Sequence, residues 1–371
     1  MPRESRSKIR YAVVGLGYIA QSAVLPSFKH AKNSELAALV SDDPEKLAKL
    51  GKKYGVEGHY SYAEYEAMLE SGEIDAVYIA LPNSLHREYA VRAAQAGIHV
   101  LCEKPMAVTE ADCRAMIRAA AQADVRLMVA YRLHFDKANL TAVETARSGR
   151  LGDPRVFSSV FTMQVRDEDN IRLKADMGGG PLYDIGIYCI NAARYLFRAE
   201  PEEVVALSAN GGDPRFAEVD EMTSAVMRFP GDRLASFSCS FGAADAGAYD
   251  LIGTKGSIRL DPAYEYASEM TLATTVEGRS TEKRFDKHDQ FGPELAYFSD
   301  CVREGRNPEP DGREGLADVR VIRAVTESAR KGKPVRLDAF EKKERPDPEQ
   351  AMERPGIREP DLVHAESPGE S

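Results

Sequence analysis

The sequence predicts two domains of different class. The first is a doubly wound parallel α/β domain, and the second an α+β domain on an open, mainly antiparallel sheet with helices on one face. Three observations carry this reading. Short apolar runs alternate with helix-like stretches as far as Ala130, as strands and crossover helices do. From Arg155 onward the chain changes to alternating strands paired through short turns. The first apolar run, Tyr11–Val14, ends in Gly15-Leu16-Gly17, a turn that suits a dinucleotide's phosphates at the start of a helix.

The elements follow in order. Tyr11–Val14 is a strand, and Ile19–His30 a helix kinked or delayed by Pro26. Leu36–Val40 is the second strand, closed by Ser41-Asp42-Asp43. Asp43 is a natural N-cap with Pro44 at the first helical position, and that helix runs to Tyr54 before Gly55. Tyr62–Glu70 is helical and Ile74–Leu81 a strand. Pro82-Asn83-Ser84 then turns the chain into the helix Leu85–Ala96, stopped by Gly97. His99–Cys102 is a strand with Glu103-Lys104-Pro105 at its carboxyl end. Thr109 and Asp112 read as a capping box for a helix through Ala123, and Val125–Ala130 is the last strand of the set.

In the second domain a strand spans Arg155–Val165. Met222–Phe229 pairs with Leu234–Phe241, Tyr249–Ile252 with Ser257–Leu260, and a further pair lies within Met270–Phe285. Gly178-Gly179-Gly180-Pro181 precedes a helix to Phe197, and late helices Gln290–Glu304 and Glu314–Arg330 complete this domain. An open sheet of this kind predicts a homodimer or homotetramer formed through its bare face. The boundaries read as residues 1–8 for an N-terminal tail, 9–133 and 134–336 for the domains, and 337–371 for a disordered tail.

Composition narrows the function classes. With 43% hydrophobic and 29% charged residues the chain is an ordinary globular one. A net charge of -10 and a pI of about 5.4 argue against nucleic acid or an anionic membrane surface as partner. The 5 cysteines are far apart, with neither CxxC nor zinc-type spacing, so no metal is expected and the thiols read as buried apolar groups. No apolar segment of a signal precedes the first strand, and no run reaches the ~18 residues of a membrane span, so the expected location is the cytoplasm.

Parallel sheets bind ligands at the carboxyl ends of their strands. Here those ends carry Gly15, Gly17, Tyr18, Ile19 and Ala20, then Ser41 with Lys46 one turn later, then Leu81, Pro82, Asn83 and His86, and finally Glu103 and Lys104, with Arg132 just past the last strand. This is the expected cofactor-binding set. An acid at the end of the second strand would bind the ribose 2′-OH of NAD; Ser41 with Lys46 suits the 2′-phosphate of NADP. An inward Asp42 would reverse that preference, so both nucleotides stay open. In the second domain, Asp184 and Tyr188 are four apart on a glycine-led helix and share a face.

With these motifs in place the chain resembles the Gfo/Idh/MocA oxidoreductases, and within them the glucose–fructose oxidoreductase group, from about Ile9 to Leu337. The resemblance rests on GLGYIA, on ALPNSLH (Ala80–His86), CEKPMA (Cys102–Ala107), AYRLHFD (Ala130–Asp136) and GGGPLYDIGIY (Gly178–Tyr188), in this order. It implies an NADP- or NAD-binding Rossmann domain followed by an open-sheet substrate domain, with the active site between them. It implies that Lys104 binds substrate beside the nicotinamide, that Asp184 and Tyr188 hold the acid and catalytic positions, and that Ser41 and Lys46 hold a 2′-phosphate. Two departures stand out: Asp42 replaces a smaller neutral residue, and the chain has no tryptophan, so Ile171 and Arg172 lie near the place of the group's tryptophan.

The chemistry that follows is hydride transfer between a nicotinamide and a carbinol or carbonyl of a sugar or polyol. A phenol is a weak base at neutral pH unless a cation stands beside it, so Tyr188 is expected as general acid/base, Lys104 as its electrostatic partner and Asp184 as the group that orients substrate hydroxyls. Two other classes are weighed. One is an NAD-dependent glycoside hydrolase working by transient oxidation, whose sites favour histidine where this chain has Tyr188. The other is a cofactor-binding regulator without turnover, which has no need of an acid/base.

Overall fold

The computed structural model describes residues 8–369, so most of the expected N-terminal tail (1–8) lies outside the described residues. The chain divides into two compact units. In the first, β1 (Ile9–Val14), β2 (Ser34–Val40), β3 (Gly58–Tyr60), β4 (Ala76–Ile79), β5 (His99–Glu103) and β6 (Leu127–Ala130) form one parallel sheet in the order β3-β2-β1-β4-β5-β6. Its central strands are apolar and covered on both faces, as a parallel sheet requires: β4 is buried throughout. The short edge strand β3 has no apolar run to announce it, and sequence reading passed over it.

The first unit is not contiguous in sequence. It takes in residues 289–315 and 354–367 as well as the chain up to Arg132. This corrects two expectations. The helix Phe291–Glu304 belongs with the parallel sheet and not with the second domain. Ser299 on that helix shares hydrogen bonds with the Tyr11 phenol and with the Ser34 hydroxyl, each at 2.7 Å, and Asn33 donates to Asp300 at 2.8 Å. The segment expected to be disordered from Leu337 is instead held by hydrogen bonds over much of its length, divided between the two units at Arg354. Few core residues are needed where backbone groups and charged side chains make the contacts.

The second unit holds a mixed, mostly antiparallel sheet. Its strands are β7 (Pro154–Thr162), β8 (Glu203–Ala209), β9 (Met222–Phe229), β10 (Arg233–Ser240), β11 (Ala246–Gly253), β12 (Gly256–Asp261), β13 (Met270–Val276), β14 (Arg279–Phe285) and β15 (Val335–Arg336). They run in the order β14-β13-β12-β11-β7-β10-β9-β8-β15, with β7 and β10 parallel. Sequence reading missed β8 and the helix Lys137–Arg147. β9 buries Thr223, Ala225, Met227 and Phe229 and exposes the residues between. Register then puts Val205 and Leu207 of β8, Val226 of β9, Leu234 of β10, Val156 of β7 and Ile252 of β11 on that same outer face, all exposed, Leu207 at 72%.

Beneath the sheet, the fully buried Arg194 is held by Asp318 at 2.6 Å and by Glu200 at 2.7 Å, while Asn191 donates to the other oxygen of Asp318 at 2.8 Å. A buried charge is tolerable only while its partners remain. Replacing Asp318 with alanine is expected to cost ~3 kcal/mol, read as a clear fall in the urea or thermal midpoint. A midpoint unchanged from wild type would show that Glu200 alone satisfies the guanidinium.

Candidate active site

The glycine loop is built as its sequence requires. Gly15 has φ +92°, and a Cβ there would stand 2.5 Å from the Ala80 carbonyl oxygen, so only glycine lets the chain leave β1 beside the end of β4. A Cβ on Gly17 would meet nothing within 4 Å among the described residues, which leaves this part of the loop open. Tyr18 and Ile19 lead into a helical segment that begins as a π-helical turn over Ala20–Val24, with the Gln21 N–H donating to the Gly17 carbonyl at 3.1 Å. Beyond it lie one turn of α-helix and a 3₁₀ turn ending at His30, where a single kinked helix was expected. An open, side-chain-free gap over a loop that opens a helix fits a dinucleotide's pyrophosphate.

At the end of β2, Ser41 is buried and its hydroxyl accepts the Asp43 N–H at 3.2 Å. Asp42 is exposed and its carboxylate accepts the Tyr62 N–H at 2.9 Å, which fixes the acid toward the Ser61–Tyr62 turn. Asp43 caps the helix Pro44–Tyr54 through the N–H groups of Glu45 and Lys46.

The ends of β4 and β5 are braced together. His86 is fully buried, with its two ring nitrogens 2.9 Å from the carbonyls of Leu81 and Pro105, and burial lowers its basicity. It thereby fixes the turn Leu81-Pro82-Asn83 relative to Lys104-Pro105. Glu103, at the last position of β5, receives the Tyr78 hydroxyl at 2.8 Å and the Lys104 N–H at 3.2 Å. The same phenol stands 3.3 Å from Glu294, a fully buried carboxyl on the late helix, whose other oxygen has no hydrogen-bond partner among the described residues. Arg132 bonds Gln290, and its charge faces both carboxyls. Burial raises the proton affinity of Glu103 and of Glu294, and their mutual repulsion adds to it at Glu294.

Sequence reading placed Glu103 and Arg132 near the cofactor but missed Glu294. The available signal was an acid set within the apolar stretch FGPELAYF.

In the second unit, Asp184 falls within a π-helical turn, Leu182–Gly186, and Tyr188 in the α-helix that follows, Ile187–Phe197. Such a π-helical turn is a device often found at functional sites. Asp184 pairs with Arg172 at 2.7 Å. The Arg172 carbonyl in turn accepts the Gly180 N–H at 2.8 Å, and a Cβ on Gly179 would stand 2.4 Å from that carbonyl oxygen, so the glycine run is what lets this segment lie against the helix start. The half-buried Tyr188 ring lies edge-on to Phe161 at 5.5 Å and tilted against Tyr264 at 5.8 Å.

Glu294 gives a pH test. Its proton affinity in the folded chain exceeds that of an unfolded glutamate, whose ordinary value is near 4.5. The stability tied to its protonated form is therefore complete below about pH 4.5 and lost as pH rises through the raised value. Glu294→Gln should remove that loss, so the variant's thermal midpoint relative to wild type should climb as pH rises above about 4.5. A difference that is flat with pH would mean that Glu294 does not carry the proton.

Comparison with known proteins agrees with both halves of the chain. Residues 9–131 match the Gfo/Idh/MocA oxidoreductase family with its NAD-binding Rossmann fold, and residues 139–259 match the C-terminal domain of that family. A D-xylose 1-dehydrogenase (NADP+) of Haloarcula marismortui is 33% identical over 89% of this chain and 93% of its own. Among solved structures, the aldose–aldose oxidoreductase of Caulobacter crescentus, complexed with glycerol, is 39% identical over 89% of this chain and 100% of its own, with a TM-score of 0.85. KijD10, a 3-ketoreductase of Actinomadura kijaniata complexed with NADP and TDP-benzene, is 26% identical over 86% of this chain and 98% of its own, with a TM-score of 0.80. The chain belongs to the Gfo/Idh/MocA family of oxidoreductases.

Proposed function

We propose that the protein is an NADP(H)-dependent oxidoreductase of a sugar or polyol, acting on a carbinol or the matching carbonyl. The observation that carries this is likeness along nearly the whole chain to an NADP-dependent xylose dehydrogenase and to an aldose–aldose oxidoreductase. The choice of NADP over NAD is supported by Ser41 at the end of β2, where an acid would serve NAD, and by the turn of Asp42 toward the Tyr62 N–H. A bound nicotinamide would accept or donate the hydride. Tyr188 takes the proton from the carbinol oxygen, or returns it to the carbonyl oxygen in reduction. Lys104 supplies the positive charge that favours the alkoxide-like oxygen, and Asp184, together with Arg172, orients the remaining hydroxyls.

Native mass spectrometry of the purified protein should show which nucleotide co-purifies, and an aldose panel should then turn it over. Tyr188→Phe is expected to lower kcat by ~100-fold or more while nucleotide still binds. Unchanged turnover would remove Tyr188 from the reaction.

The outer face of the nine-stranded sheet supports association with a second copy, since Val205, Leu207, Val226, Leu234, Val156 and Ile252 are exposed there among serines and charged residues. Light scattering should give a dimer or tetramer for the wild type at micromolar concentration, and a smaller species for Leu207→Glu combined with Val226→Lys. A monomeric wild type would rule this association out.

A further inference from the structure

The segment 354–367 is part of the first unit although its composition gives it no core of its own. Its course is fixed by bonds to elements already described. The Arg354 guanidinium donates to the His30 carbonyl at 3.2 Å, at the end of the helical segment that follows the glycine loop. The Asp361 carbonyl accepts Lys53 at 3.2 Å. Val363 then makes a two-way pair with the buried side chain of Gln21: its N–H donates to Oε1 at 2.8 Å and its carbonyl accepts Nε2 at 2.9 Å. The same Gln21 Nε2 donates to the Leu16 carbonyl at 2.8 Å, inside the glycine loop itself.

One residue on, His364 places Nδ1 2.7 Å from Asp43 and Nε2 3.3 Å from Glu45. Its backbone lies in the left-handed region, at φ +45°. Asp43 is the cap whose other oxygen holds the N–H of Lys46. Four residues of the tail thus join the loop expected to carry the pyrophosphate to the helix start expected to carry the adenosine ribose.

These two elements neighbour each other at the ends of β1 and β2, and nothing in the sheet requires a third segment to tie them. A bidentate amide pair and a two-carboxylate imidazole, in sequence on adjacent residues, form a fastening with specific geometry. The imidazole also holds the Asp43 carboxyl below its usual range and faces Glu45, beside the helix start where a 2′-phosphate would lie.

We infer that Asp361–His364 is a strap of the dinucleotide site, which ties the glycine loop to the helix after β2 and slows release of the bound nucleotide. This rests on the reading of that loop as a cofactor site. It deepens that reading, because a nucleotide held between half-reactions suits an enzyme that oxidises one sugar and reduces another.

The test uses the full chain beside His364→Ala, Val363→Pro (which removes the N–H to Gln21) and a chain stopped after Pro360. Each is loaded with NADPH, mixed with excess NADP+, and followed by the decay of bound-nicotinamide fluorescence; NADH is run in parallel. Release should be at least threefold faster in His364→Ala and at least tenfold faster in the stopped chain, with Val363→Pro between them. Thermal midpoints of the nucleotide-free proteins identify any variant that has lost its fold, and His364→Ala, changed only at a half-exposed side chain, then decides. Release within a factor of two of wild type in every folded variant overturns the strap and leaves the cofactor site standing. Failure of the full chain to bind either NADPH or NADH overturns the cofactor site, and the strap with it.

Discussion

A side chain at residue 15 has nowhere to go, and much of the first unit follows from that. The Gly15 Cβ position lies within 2.5 Å of the Ala80 carbonyl oxygen, because β1 and β4 run parallel side by side and end at the same level. The strand order β3-β2-β1-β4-β5-β6 reverses between these two strands. Chains leaving them must turn to opposite sides, and the crevice between the turns is where ligands of doubly wound sheets bind. The close approach at Gly15 brings the glycine loop and the Leu81-Pro82-Asn83 turn to that crevice. The backbone N–H of Gly15 is meanwhile held by the Val40 carbonyl at 3.1 Å, which ties the same loop to the end of β2. Three strand ends are thus fixed relative to one another by one residue without a side chain.

Below the fourth strand end the chain accepts an unfavourable arrangement. Glu103 and Glu294 are both buried and both face the hydroxyl of Tyr78, which lies at 0% exposure. Two ionised carboxylates at this depth would repel, so the pair favours holding a proton. Arg132 and the Lys104 ammonium oppose that tendency. The arrangement costs stability at neutral pH relative to an apolar pair. What it provides is position: Glu103 holds the Lys104 N–H directly, and His86 holds the Pro105 carbonyl from the other side. Lys104 is therefore carried on a turn fixed from two directions.

How much of this was legible in the sequence follows from what each element depends on. Apolar strands of the parallel sheet announce themselves because they are buried on both faces, so five of its six were readable, as were the hairpins with glycine turns. β3 and β8 were not: β3 is three residues long at a sheet edge, and β8 reads as helix or strand equally well until it is known to lie beside β9. The helix Phe291–Glu304 was found, but assigned to the wrong unit, because an amphipathic helix does not say which sheet its apolar face will cover. The tail was misread for a related reason. Composition measures the capacity to form a core, whereas residues 361–364 are held by backbone groups and one imidazole, which composition does not weigh.

The same distinction applies to the helix that carries Asp184 and Tyr188. Spacing alone put the carboxylate and the phenol on one face, as an α-helix would. Asp184 lies inside the π-helical turn Leu182–Gly186, and Tyr188 in the α-helix Ile187–Phe197 that follows. Asp184 meets the guanidinium of Arg172, and Tyr188 meets the rings of Phe161 and Tyr264. The glycine run just before the π-helical turn makes the first of these contacts possible, since Gly179 leaves room for the Arg172 backbone to lie against the start of the helix.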